Sequence, residues 1–176
     1  MKKWMKGLVF LMALSTWAQL LAGCKTWTGE KPDKPEMPDK IVSLPDIQEL
    51  TYYKHGTMME PIWSVSLIRQ EEKAAVRINP WDSQEEEPFE YPADPEVLEE
   101  ARRILEMYDV ASWGGFRGSD PNVLDGYSMS FCVSFTDGTS LEASGENKSP
   151  KNCRDVFGAL DDLTKEARSA YYSQIK

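Results

Sequence analysis

The chain has 176 residues, with 20 Lys and Arg against 29 Asp and Glu, one His and three Cys. Phosphate backbones are gripped by clustered cations, so this acidic balance excludes a general nucleic-acid binder. A single imidazole excludes His-rich metal sites and any triad not built on His55.

Residues 1–23 read as a signal peptide. Met1 to Lys6 is short and basic, and residues 7–23 carry no charge. The basic flank stays on the cytoplasmic side while the apolar run inserts. The segment ends in Leu21-Ala22-Gly23-Cys24. These four residues resemble the lipobox of bacterial lipoproteins. The resemblance implies diacylglycerol on the Cys24 thiol, cleavage before Cys24, and acylation of the new N-terminus by a palmitate-like chain. Two or three acyl chains anchor stably where one does not, at about 0.8 kcal/mol per buried CH₂. The expected location is therefore the cell membrane or the outer membrane, with the body on the extracytoplasmic side. Lys25 stands where resembling inner-membrane lipoproteins carry Asp, and the leaflet stays open.

Residues 24–40 form the lipidated Cys and a tether. Pro32, Pro35 and Pro38 recur among four Lys and four acids, with no apolar face. Such a segment favours extended polyproline II and could hold the body up to roughly 50 Å from the lipid. Residues 41–176 then form one domain with 13 basic and 25 acidic residues, a net of −12.

Within that body, Ile47 to His55 and Ile62 to Ile68 read as strands, the second from its alternating Trp63, Val65 and Leu67. Ala74, Val76 and Ile78 predict a third strand ending at Asn79-Pro80. Residues 81–94, with Glu85-Glu86-Glu87, Pro88 and Pro92, predict a solvated loop. Asp94-Pro95 fits a helix cap and first position, and Leu98, Ala101, Leu105 and Tyr108 share one face.

Tyr127 to Phe135 is the cleanest strand. Tyr127, Met129, Phe131, Val133 and Phe135 point one way; Ser128, Ser130, Cys132 and Ser134 point the other. After Thr136-Asp137-Gly138, a three-residue turn places Leu141 and Ala143 beside Val133 and Phe131. A two-residue turn would flip every side chain to the wrong face. The three-residue hairpin is therefore predicted, with Gly138 left-handed. Ser149-Pro150 predicts the start of a last helix carrying Cys153, Val156, Phe157, Leu160, Leu163, Ala167, Ala170 and Tyr171 on one stripe. The expected fold class is α+β: an antiparallel sheet of about five strands, two helices on one face, in the order βββ-α-ββ-α.

The stretch 108–116 with its Trp113-Gly114-Gly115-Phe116, the Asp137-Gly138 turn, Ser144-Gly145-Glu146-Asn147 and Ser149-Pro150 follow one another in a recognisable order. This order resembles a bacterial family of secreted or lipid-anchored domains of uncharacterised function. There a Trp-x-Gly-Phe segment precedes a hairpin, and a Ser-Gly-x-Asn turn precedes a Pro-capped helix. The resemblance implies no reaction. Cys153 stands where that family often has an aromatic.

Few residues invite chemistry. Cys132 and Cys153 are expected as free thiols, because the alternation points Cys132 away from the face the last helix should cover; an exported compartment leaves a disulfide as the alternative. A catalytic thiol would need a base, and His55, expected in an exposed turn, is the only imidazole. Asp120-x-Asn122 with Asp125-Gly126 is faintly like a calcium loop, but the Gly is misplaced. No metal and no cofactor are expected. Trp113 and Phe116 are expected to close the core; with Trp81 they form an alternative binding surface for sugar or peptide. The Ser128, Ser130 and Ser134 row is flat and uncharged, suited to a partner or a covering loop. The functional expectation is a non-enzymatic envelope lipoprotein that binds a protein or glycan or serves as an accessory subunit. The alternative is an envelope hydrolase using carboxylates or an activated Ser, with Lys54 or Lys73 as its partner.

Overall fold

The computed structural model describes residues 43–56, 63–80, 87–123 and 126–174. The expected signal peptide, Cys24, the tether, Trp81, Glu85, Glu86 and Asp125 lie outside the described residues.

Seven strands form one sheet: β1 (Ile47–His55), β2 (Trp63–Gln70), β3 (Lys73–Pro80), β4 (Phe89–Ala93), β5 (Phe116–Ser119), β6 (Ser128–Phe135) and β7 (Ser140–Glu146). Helix α1 (Glu96–Met107) and a 3-10 turn (Val110–Trp113) separate β4 from β5. Helices α2 (Cys153–Leu163) and α3 (Lys165–Gln174) end the described chain. No described helix is long and apolar enough to cross a membrane. The strand order is β4-β3-β2-β1-β6-β7-β5. Neighbours are antiparallel except β5 and β7, which run parallel.

The core lies on one face of this sheet. Leu50 and Tyr52 of β1, Val65 and Leu67 of β2, Val76 of β3, and Met129, Phe131 and Val133 of β6 are buried against the helices. The helices contribute Leu98, Ala101 and Leu105 from α1, and Val156, Phe157 and Leu160 from α2. Aromatic rings fill the centre: Trp113 meets Phe131 edge-on at 5.3 Å, and Phe157 lies 5.4 Å from Tyr52. Such pairs contribute about 0.5–1.5 kcal/mol beyond their buried area.

Where local signals agree, the expected elements form. The predicted first strand matches β1 residue for residue. Asp94 Oδ1 accepts the Glu96 N–H at 2.9 Å, so Asp94 caps α1 as its position suggested. The β6–β7 hairpin pairs Val133 with Leu141 and Phe131 with Ala143, the register of the three-residue turn. Gly138 has φ +86°, and the Phe135 N–H reaches the Thr139 carbonyl at 2.9 Å. Asp137 accepts bonds from the Thr139 amide at 2.9 Å and hydroxyl at 2.6 Å, which hold its carboxyl below its usual pKa.

Other elements depart from expectation. The class is mixed α/β, but with seven strands rather than about five and three helices rather than two. The predicted loop over 81–94 contains β4, whose Phe89 to Ala93 pair with Ile78 to Ala74 of β3. Pro92 removes a donor there, and an edge strand tolerates that loss. β5 is four residues long and takes its identity from its parallel pairing, Phe116 beside Ala143 and Ser119 beside Glu146. The last helix is broken. Thr164 is buried, its Oγ1 donates to the Leu160 carbonyl at 2.9 Å, and the stripe bends there into α3. A hydroxyl bonded back to a carbonyl four residues earlier commonly bends helices. Nor does Ser149-Pro150 open α2, which begins at Cys153 after a left-handed Asn152 with φ +61°. Ser149 Oγ instead accepts the Tyr127 hydroxyl at 3.0 Å.

Candidate functional site

Strand alternation sends every second side chain of the sheet to the face opposite the helices. The register then lines these side chains up across strands. One row runs Arg77, Ser66, Thr51, Cys132, Glu142. The next runs Tyr53, Ser130, Ser144, Arg117. A third runs His55, Ser128, Glu146, Ser119. Among the described residues, no helix packs on this face.

Hydrogen bonds run along the rows, and one joins the second row to the first. The hydroxyls of Thr51 and Ser66 lie 2.8 Å apart. Arg117 Nη1 donates to Ser144 Oγ at 3.1 Å, and its Nη2 to Glu142 Oε2 at 3.1 Å. At the far edge, Arg77 binds Glu90 of β4 at 2.6 Å. Exposed ion pairs of this kind contribute roughly 0–1 kcal/mol. Their effect is to hold the long side chains in place across the face.

Small residues between large ones leave a hollow. Tyr53 and Arg117 stand beside Ser128, Ser144, Ser119 and Glu146, and enclose about 300 Å³ with the backbone of Met129, Gly118 and Gly145. A second hollow of about 450 Å³ lies on the helix side, between β4, the start of α1 and the α2–α3 bend. Val76, Tyr91, Val97, Leu163 and Ala167 line it, with Asp94, Asp162 and Glu166 at its rim.

The residues singled out from sequence fall in different places. Trp113 is 1% exposed, and its indole Nε1 donates to the Lys151 carbonyl at 3.0 Å. Phe116 is half-buried against the core. The binding surface drawn from Trp113, Phe116 and Trp81 is therefore corrected at Trp113, which closes the core beneath the sheet. Phe116 needs Gly118 beside it, because a Cβ there would stand 2.6 Å from its ring.

The two thiols are free. Cys132 is exposed on the polar face and Cys153 is buried among the helices, so the sheet lies between them. Burial pushes both pKa values up, with Glu142 and Glu49 adding to the shift at Cys132. A thiol held protonated is a poor nucleophile. His55 is half-buried at the end of β1 rather than exposed in a turn, opposite Ser128. Its Nδ1 is buried and has no hydrogen-bond partner among the described residues.

The turn residues of the 108–157 stretch carry structure. Asp120 Oδ1 accepts from the Asn122 amide N–H at 3.0 Å and from Asn122 Nδ2 at 3.1 Å, a local turn. Asn147, at φ +58°, donates its backbone N–H to the Tyr127 carbonyl at 2.8 Å and its Nδ2 to the Val123 carbonyl at 3.2 Å. Its side chain passes so close to Gly126 that a Cβ there would lie 1.2 Å from Asn147 Oδ1. At Gly145 a Cβ would lie 1.9 Å from the Lys148 carbonyl oxygen. The Ser-Gly-x-Asn element thus ties the loop before β6 to the end of β7. No three His, Cys, Asp or Glu side chains among the described residues gather as a metal set.

One polar node sits beneath the sheet. Tyr52 Oη lies 3.2 Å from Asp161 Oδ1 and 3.1 Å from Thr164 Oγ1. Burial and the Asp161 charge push the Tyr52 pKa up. Burial also raises the Asp161 pKa, against the opposing pull of Arg168 and the Tyr52 hydroxyl.

Sequence reasoning singled out the Ser128, Ser130 and Ser134 row but missed Tyr53, Arg117, Ser144 and Glu146 as a group. No local signal joins them; the parallel pairing of β5 with β7 does. No protein-family model and no curated protein matches this chain.

Proposed function

We propose that this chain is a lipid-anchored protein of the cell envelope whose body is a non-enzymatic binding or accessory module. The anchor is Cys24, the Pro-rich tether carries the body off the lipid, and the location is the cell membrane or outer membrane on the extracytoplasmic side. The net −12 body agrees with a domain held away from anionic lipid rather than lying on it.

The observation that supports binding is the polar sheet face. Three rows of polar side chains cross β1, β6 and β7, two of them reaching β5, with no described helix upon them and a hollow among them. Such a face offers hydrogen-bond donors and acceptors at fixed spacing to a protein or glycan partner. The two thiols held protonated agree with a binding rather than a nucleophilic role.

Two experiments test this reading. The Cys24→Ala variant should leave the membrane fraction and appear in the soluble one; retention would identify an uncleaved anchor. The tagged full chain, captured from detergent-solubilised envelope, should bring down a partner. Thr51→Arg, which blocks the row from Arg77 to Glu142, should abolish that capture, whereas equal capture by the variant would put recognition elsewhere.

A further inference from the structure

We infer that the second hollow, on the helix side of the sheet, binds a free amphiphilic amine, its alkyl body on the apolar floor and its ammonium beside Asp162 and Glu166. This site lies across the sheet from the polar face and is independent of the module proposed above.

The hollow has an apolar floor and an acidic rim. Val76 of β3 and Ala167 of α3 are buried, and Val97 and Leu163 are half-buried, whereas Asp94, Asp162 and Glu166 are exposed. Leu163 and Ala167 stand on either side of the bend at Thr164, and both line the hollow. The broken helix therefore leaves part of its apolar stripe facing a recess. Its volume of about 450 Å³ falls within the range of small-molecule sites, which join an apolar lining to a few placed polar groups.

Charge selects the sign of the ligand. No Lys, Arg or His is among the described residues that line the hollow. Asp94 is committed to the Glu96 amide at 2.9 Å, and the N-terminus of α1 offsets part of its charge. Asp162 and Glu166 have no hydrogen-bond or ion-pair partner among the described residues. Arg168, on the same bend, turns to Asp161, donating to its carbonyl at 2.5 Å and standing 3.7 Å from its carboxylate. Two uncommitted carboxylates beside apolar surface attract an ammonium and repel carboxylate or phosphate.

The order of polarity selects a free amine over a protein's lysine. A lysine side chain enters ammonium first and would set its charge on the apolar floor, where desolvation opposes it. An alkylammonium enters tail first, so its head stays level with the exposed carboxylates. A peptide added along β4 is disfavoured as well, because Pro92 removes a donor from that edge.

The test titrates the full chain, held in phosphatidylcholine nanodiscs, with hexylammonium and with 1-hexanol and hexanoate as its neutral and anionic counterparts; empty nanodiscs give the lipid background. Hexylammonium should shift the methyl resonances of Val97 and Leu163 and bind at least tenfold more tightly than either counterpart. From butylammonium to hexylammonium, each added CH₂ should tighten binding about fourfold. Raising the salt should weaken it, as screening reaches exposed carboxylates. Asp162→Asn with Glu166→Gln should weaken hexylammonium binding about tenfold or more. Both replacements are isosteric and exposed, so that loss cannot be put down to unfolding. Acetyl-Ala-Lys-Ala-amide should bind at least tenfold more weakly than hexylammonium; equal or tighter binding would make the occupant a lysine and overturn the free amine. Absence of hexylammonium binding, equal binding by hexanol or hexanoate, affinity that ignores chain length, or binding that the double variant leaves intact overturns the site.

Discussion

The two faces of the sheet are built from the same strands yet obey different rules. On the helix side, Phe131 meets Trp113 and Phe157, and every large side chain has a packed neighbour. On the other side, Ser130 and Cys132, the residues flanking Phe131, sit among hydroxyls and ion pairs. Burying an aromatic ring contributes several times what an exposed hydroxyl can, so the first face holds the fold. The asymmetry explains how β6 can carry a run of serines without weakening the domain.

Truncation should separate the faces most sharply. Phe131→Ala should destabilise the domain by about 3–5 kcal/mol in chemical denaturation. A loss under 1 kcal/mol would mean that the ring is not a core residue. Gly145→Ala, at the boundary between the faces, should cost about 1–3 kcal/mol, because the new Cβ meets backbone rather than a flexible side chain. A smaller penalty of roughly 1–2 kcal/mol is expected for Gly138→Val, which forces a branched residue to positive φ; an unchanged melting curve would break the hairpin assignment. Beneath the sheet, Asp161 holds its proton more tightly folded than unfolded. Its contribution is therefore present in acid and is lost as pH rises from the ordinary carboxylate value through the raised one. Asp161→Asn should flatten that fall in melting temperature; an identical pH profile would remove Asp161 as its source. Ser130→Ala, on the polar face, should change stability by no more than about 0.5 kcal/mol. A larger loss would show that this face also carries the fold.

Legibility in the sequence followed the range of each interaction. β1, α1 and the β6–β7 hairpin were readable because alternation, the Asp94 cap and the Asp137-Gly138 turn act over a few residues. β4 was hidden, since Pro92 and neighbouring acids argue for a loop and only β3 completes its hydrogen bonds. The α2–α3 bend was hidden for another reason. The apolar stripe runs on through it, while the Thr164 hydroxyl turns the backbone aside. Trp113-Gly114-Gly115-Phe116 drew attention by its composition, but its Trp served packing. The hollow beside it came from residues as far apart as Tyr53 and Glu146.

By itself the sequence determined the acidic balance, the strand faces and the turn that sets the hairpin register. These follow from charge counts and from periodicities of two and three to four, which need no distant partner. Tertiary structure alone decided that β5 adds to the sheet in parallel, that Trp113 is buried, and that Tyr53, Arg117 and Glu146 share one hollow. Long-range pairing carries no mark within either strand, because a backbone hydrogen bond looks the same whichever neighbour supplies it.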